Sequence, residues 1–123
     1  MPPRNLFERT RLFALAVLAF GRKAPKTKEA QEAIGELRRS ANSVRSNYRA
    51  ARKGRSRAEF QSKLHIAFEE ADECVDWLEY LKDGNLHHDA ALLQEARELA
   101  AILAAADKTA RRNTARTKKA AKS

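Results

Sequence analysis

Apolar residues return along most of this chain at intervals that alternate four and three. Between Thr27 and Lys53 they fall at Ala30, Ile34, Leu37, Ala41, Val44, Tyr48 and Ala51, a spacing that lines one face of an α-helix as a heptad seam. From Ser56 to about Lys82 the series is Phe60, Leu64, Ala67, Ala71, Cys74, Leu78 and Leu81. Phe68, Val75 and Trp77 widen that face enough to meet more than one neighbour. A later stretch, about Ala90 to Ala110, places Leu92, Ala96, Leu99, Leu103 and Ala106 on a seam with Ile102 beside it. The earliest segment, about Leu6 to Phe20, is apolar nearly all round, as expected of a helix buried centrally in a bundle.

Breakers and caps divide these segments. Gly21 supplies a stop for the first and Pro25 marks the break. Thr27 is placed to cap the second helix, with Glu29 in its first turn. Gly35, inside that helix, costs about 1 kcal/mol relative to alanine; it either permits close helix approach or is tolerated. Gly54 ends the second helix, and Ser56 with Glu59 reads as the capping box of the third. Asp83-Gly84-Asn85 forms a turn, and Asp89 can cap a fourth helix. Few β-branched residues are available for a sheet. The fold expected is all-α, an antiparallel up-down-up-down four-helix bundle over residues 1–107, its second and third helices forming a long hairpin. Residues 108–123 hold seven basic side chains, no acidic one and no large apolar one. They read as a basic tail, disordered or a frayed extension of the last helix.

The apolar run Leu12 to Phe20, behind Arg4, Arg9 and Arg11, superficially resembles a signal peptide. Glu8 interrupts its basic flank, and Gly21-Arg22-Lys23 stands where a small-residue cleavage site belongs, so a core helix is the better reading. It is also shorter than the ~20 apolar residues that span a bilayer, and no membrane partner is expected. With Cys74 the only cysteine, no intrachain disulfide or thiol-rich metal site is available, which fits a reducing, cytoplasmic setting.

The formal net charge of +9 and pI near 10.1 bear on partners rather than on fold. The charge is uneven. Residues 22–57 carry twelve Lys or Arg and three Glu, whereas 59–83 carry eight acids and two lysines. Basic and acidic helices lying antiparallel attract, so Arg38, Arg39, Arg45 and Arg49 are expected to face Glu69, Glu70, Glu73 and Asp76. What remains unpaired suggests a polyanion. Arg45, Arg49, Arg52, Lys53, Arg55 and Arg57 crowd the end of the second helix and its turn. Arg111, Arg112, Arg116, Lys118, Lys119 and Lys122 add a second basic cluster. Such side chains bind phosphates in a salt-dependent, sequence-independent way. No recognisable base-reading module accompanies them, so RNA or DNA would be bound electrostatically. An acidic protein is the alternative partner.

No catalytic, metal or cofactor site is expected. Glu70 and Glu73 lie three apart on one helix, but no Glu-x-x-His is present to complete a bundle di-metal centre, and ion pairing with arginines is expected instead. Adjacent His87 and His88 cannot share one ion on a helix and read as a surface pair. His65 reads as boundary packing, and Cys74, on the seam, as an inert thiol. A non-enzymatic protein follows.

Glu36 to Leu81 resembles the bacterial four-helix bundle protein family, also called the 23S rRNA intervening-sequence protein family. The resemblance rests on Leu37-Arg38-Arg39-Ser40-Ala41-Asn42-Ser43-Val44, Asn47-Tyr48-Arg49-Ala50-Ala51, Arg55-Ser56-Arg57-Ala58-Glu59-Phe60, Glu69-Glu70-Ala71-Asp72-Glu73 and Trp77-Leu78-Glu79. It implies an up-down-up-down bundle that assembles as a ring, typically a homopentamer. Some members are encoded within insertions in 23S ribosomal RNA genes. A similar protein of diversity-generating retroelements binds nucleic acid and a reverse transcriptase. Many members carry an acidic residue and a glycine soon after Asn47; here Tyr48-Arg49-Ala50-Ala51-Arg52-Lys53 makes the turn more basic. By family position Arg39, Ser40, Ser43 and Asn47 are expected to make interhelical hydrogen bonds that fix packing, with a binding site as the alternative.

Overall fold

A computed structural model describes residues 5–122; Met1 to Arg4 of the N-terminal segment and Ser123 of the tail lie outside them. Four helices follow one another: α1 (Leu6–Arg22), α2 (Lys28–Arg52), α3 (Arg57–Asp83) and α4 (Ala90–Lys122). Short turns join them into an antiparallel bundle. The α2–α3 and α3–α4 seams are extensive, α1–α2 is narrower, and α1 meets α4 only sparsely. All-α architecture is what the heptad spacing requires, because each seam has an apolar neighbour to close upon.

The caps explain where the helices begin. Thr27 Oγ1 accepts from Ala30 N–H at 3.3 Å, Ser56 Oγ from Glu59 N–H at 3.1 Å, and Asp89 Oδ1 from Leu92 N–H at 3.0 Å. Asn5 caps α1 in the same manner, accepting from Glu8 N–H at 2.8 Å. The reciprocal half of the Ser56 box is displaced by one residue: Glu59 Oε2 accepts from Arg55 N–H at 3.4 Å. At the end of α3 the left-handed residue is Asn85 (φ 55°), not Gly84. Leu86 N–H reaches Leu81 O at 2.9 Å and Asn85 N–H reaches Lys82 O at 3.0 Å, the paired bonds of a Schellman stop.

Every expected seam residue of α2 is buried, as are Leu64, Ala67, Ala71, Cys74, Leu78 and Leu81 of α3. On α4, Leu92, Ala96, Leu99 and Leu103 are buried, and burial runs on through Asp107 to Ala110. Ile102 stands largely outside. Helix α4 itself continues to Lys122, beyond the Ala110 limit expected. Alanine, arginine and lysine are strong helix formers, so this arm holds helical form with little burial.

The first helix departs from expectation. It is not centrally buried: Phe7, Leu12 and Leu15 are 45%, 40% and 48% exposed. The reason is geometric. In a four-membered ring of helices each touches two neighbours, and α1 contacts α2 and, weakly, α4 but not α3. Helix α3, with two broad seams, is the best packed, which accounts for the wide apolar face bearing Phe68, Val75 and Trp77. Nor does Gly21 terminate α1. The helix passes through it to Arg22, and a Cβ at Gly21 would lie 2.9 Å from Ile34 Cγ2. Gly21 is therefore the point where α1 closes on α2, whereas a Cβ at Gly35 would meet nothing within 4 Å.

Candidate nucleic-acid interface

The seam of α2 divides that helix into two flanks with opposite electrostatic fates. On the flank beside α3, Arg39 reaches Glu36 at 3.3 Å, Glu70 at 3.2 Å and Glu73 at 3.0 Å. Hydrogen bonding to Glu36, then the charges of Glu70 and Glu73, hold its pKa above the ordinary arginine value. Ser40 Oγ, buried, donates to Glu73 Oε2 at 3.2 Å. Thus Glu70 and Glu73 are occupied by arginine, as their spacing suggested. Ser43 and Asn47, by contrast, bond to each other within α2 rather than across helices.

On the other flank lie Arg38, Asn42, Arg45, Arg49 and Arg52, at steps of four, three, four and three. Such steps keep them in one row, about 21 Å long at 1.5 Å per residue. Among the described residues none of these four arginines has a carboxylate or hydrogen-bond partner. The expected pairing of Arg38, Arg45 and Arg49 with the acids of α3 is therefore corrected. They sit on the α1 side of α2, where no acidic helix faces them. Arg11 of α1 joins the row: with Arg38 and Arg45 it lines a groove together with Ala14, Leu15 and Leu18.

The remaining candidates separate into three groups. Arg52, Arg55 and Arg57 border a shallow depression at the α2–α3 turn, with Lys53 exposed beside it as the α2 C-cap. Arg112, Arg116, Lys118, Lys119 and Lys122 are exposed on the last turns of α4. Arg111 is exposed too, but it is paired, donating to Asp107 Oδ2 at 2.8 Å. Asp107 is 0% exposed and also accepts from His65 Nδ1 at 2.9 Å. Sequence reasoning missed this network; the available signal was that residue 107 continues the α4 seam from Leu103 toward Ala110. His65 Nε2 faces Glu69 at 3.5 Å, and the network ties α3 to α4.

Two further side chains tie the bundle's edges. Arg9 forks onto Glu95 at 2.9 and 2.6 Å and reaches Glu98 at 3.4 Å across the sparse α1–α4 seam. His87 is not simply a surface residue: Nε2 donates to Phe20 O at 2.9 Å and its ring lies 4.1 Å from that of Phe20. Cys74 is buried, and burial pushes its thiol pKa well up, with Glu70 and Glu73 acting in the same direction. Among the described residues no three His, Cys, Asp or Glu side chains converge as a metal set, and no helix is long and apolar enough to cross a membrane.

The family model described as 23S rRNA-intervening sequence protein matches residues 5–105, the whole of the bundle as far as the middle of α4. The chain belongs to the 23S rRNA-intervening sequence protein family. A solved structure from Bacteroides thetaiotaomicron, described as a protein with unknown function from the S23 ribosomal protein family, is similar to it at 25% identity. That likeness has a TM-score of 0.73 and covers 83% of this chain and 94% of the other. No curated protein matches. Within the family frame, the basic α4 arm beyond residue 105 lies outside the matched region, whereas the α2 arginine row lies inside it.

Proposed function

We propose that this member of the 23S rRNA-intervening sequence protein family is a non-enzymatic, cytoplasmic nucleic-acid-binding bundle whose α2 arginine row contacts phosphates. One observation carries the reading. Arg9, Arg39 and Arg111 are each bonded to carboxylates, while Arg38, Arg45, Arg49 and Arg52 share one flank without any among the described residues. A row of unneutralised guanidinium groups about 21 Å long suits a polyanion backbone. Phosphate contacts by themselves do not distinguish RNA from DNA; RNA is taken as the first probe. The arginines of the α2–α3 turn and the basic residues of the α4 arm extend the field.

The test is a salt series of binding to a labelled RNA. Four phosphate contacts give a log–log slope of about −3 on a single strand or −4 on a duplex. The triple variant Arg45→Gln, Arg49→Gln, Arg52→Gln is expected to reduce that slope by about 2 to 3. Salt-independent binding, absence of binding, or an unchanged slope refutes the reading. Co-purification of an acidic protein after nuclease treatment would favour the alternative partner.

Self-association is a second proposal, carried by a different observation. Phe7, Leu12 and Leu15 stand exposed on the outer side of α1, and large apolar side chains grouped at a surface mark interaction sites. A homo-oligomer, a pentamer by family resemblance, would cover it. Light scattering that returns the mass of a single 13.8 kDa chain at all concentrations removes this proposal.

A further inference from the structure

The groove between α1 and α2 combines two features that phosphate binding alone does not require. Its lining is cationic at Arg11, Arg38 and Arg45, yet apolar at Ala14, Leu15 and Leu18. Its volume is about 200 Å³, below the ~300 Å³ at which drug-sized ligands are usually housed, so it suits one small flat group. Asn42 stands on the wall between Arg38 and Arg45, and its side-chain amide has no hydrogen-bond partner among the described residues. An amide offers both a donor and an acceptor, the combination that reads a base edge. Guanidinium planes stack on bases, and unstacked bases are accessible only in single strands, loops and bulges.

We propose that this groove receives one unpaired nucleobase: the base lies on Leu15 and Leu18, flanked by the guanidinium groups of Arg38 and Arg45, with Asn42 bonding to its edge. The inference rests on the phosphate-binding reading of α2 and deepens it, since it makes the target a single-stranded segment rather than a duplex. The arginine row carries the adjoining phosphates from Arg45 onward to Arg52. RNA and DNA share the base chemistry, and Asn42 reads the base, not the sugar.

The experiment measures anisotropy of three labelled probes in RNA and DNA versions: a single strand, an abasic strand with the same number of phosphates, and a duplex of equal charge. The single strand is expected to bind about ten-fold more tightly than its abasic counterpart, the scale of one base stacked on a protein surface. Leu15→Gln, at an exposed position and neutral in charge, is expected to bring that ratio close to one, the ratio being read within the variant so that any change in overall affinity cancels. Asn42→Leu provides a second variant: it should alter the preference among homopolymers without abolishing stacking. Equal binding of intact and abasic strands overturns the base pocket yet leaves the phosphate reading standing. Absence of binding to all probes overturns both. If Leu15→Gln instead dissociates an oligomer and does not change the ratio, the groove is a contact between copies and the proposal fails. A ten-fold intact-to-abasic ratio in either arm supports the base pocket, and the arm with the higher affinity identifies the source of the strand.

Discussion

Two glycines that both lie within helices should respond in opposite directions to the same substitution. Both Gly21 and Gly35 lie within helices, so alanine at either position gains about 1 kcal/mol of helix propensity. At Gly35 nothing within 4 Å opposes the new methyl group, and the full gain should appear. At Gly21 the methyl would sit 2.9 Å from Cγ2 of Ile34, which is 1% exposed. That atom belongs to a stiff β-branched side chain, so relief requires moving α1 away from α2, with overpacking costing about 1–3 kcal/mol. The net effect at Gly21 is therefore a loss of roughly 1 kcal/mol. With an unfolding entropy of about 2.1 cal/mol/K per residue, each kcal/mol moves the midpoint of this chain by about 4 °C. Gly35→Ala should raise Tm by about 4 °C and Gly21→Ala should lower it by a similar amount. Circular dichroism melts at several protein concentrations measure both, separating any association from intrinsic stability. Equal increases for both variants would refute the close approach at Gly21. A fall in Tm for Gly35→Ala would refute the open space at residue 35.

Other expectations follow from particular contacts. Arg9→Met should destabilise the fold by about 1 kcal/mol and selectively accelerate amide exchange in α1, because the Arg9 fork onto Glu95 reinforces the sparse α1–α4 seam; chemical denaturation and native-state exchange report each effect. Asn85→Val should cost about 1–2 kcal/mol while Asn85→Gly costs little, since φ at this position is 55°; urea midpoints of the pair give the comparison. Ser56→Ala removes the α3 cap and should cost about 1 kcal/mol, with loss of protection at the Glu59 amide. The Arg45, Arg49 and Arg52 triple variant should keep its melting temperature while losing RNA affinity, because none of the three side chains is bonded among the described residues.

Much of this protein was legible before its structure. The four-three spacing named the seams of α2 and α3 residue by residue, and Thr27, Ser56 and Asp89 marked helix starts, because caps and periodicity are local properties of the chain. Glu70 and Glu73 were legible as arginine partners for the same reason: a carboxylate pair three residues apart shares one helix face. The boundary of α4 was less so. Asp107 occupies a seam position but reads as polar, and its burial depends on His65 and Arg111 arriving from separate turns.

Composition and periodicity determined an all-α bundle, its turns and a surplus of positive charge, since each depends on neighbours close in sequence. Tertiary structure alone decided which flank of α2 meets α3 and which meets α1. A heptad seam is symmetric about its own axis, so the pattern cannot say that Arg39 turns toward Glu70 while Arg38, Arg45, Arg49 and Arg52 turn away. That choice follows from the hand with which successive helices wind around the core. It separates one neutralised arginine from four free ones, and it leaves α1 with two neighbours and an uncovered apolar face.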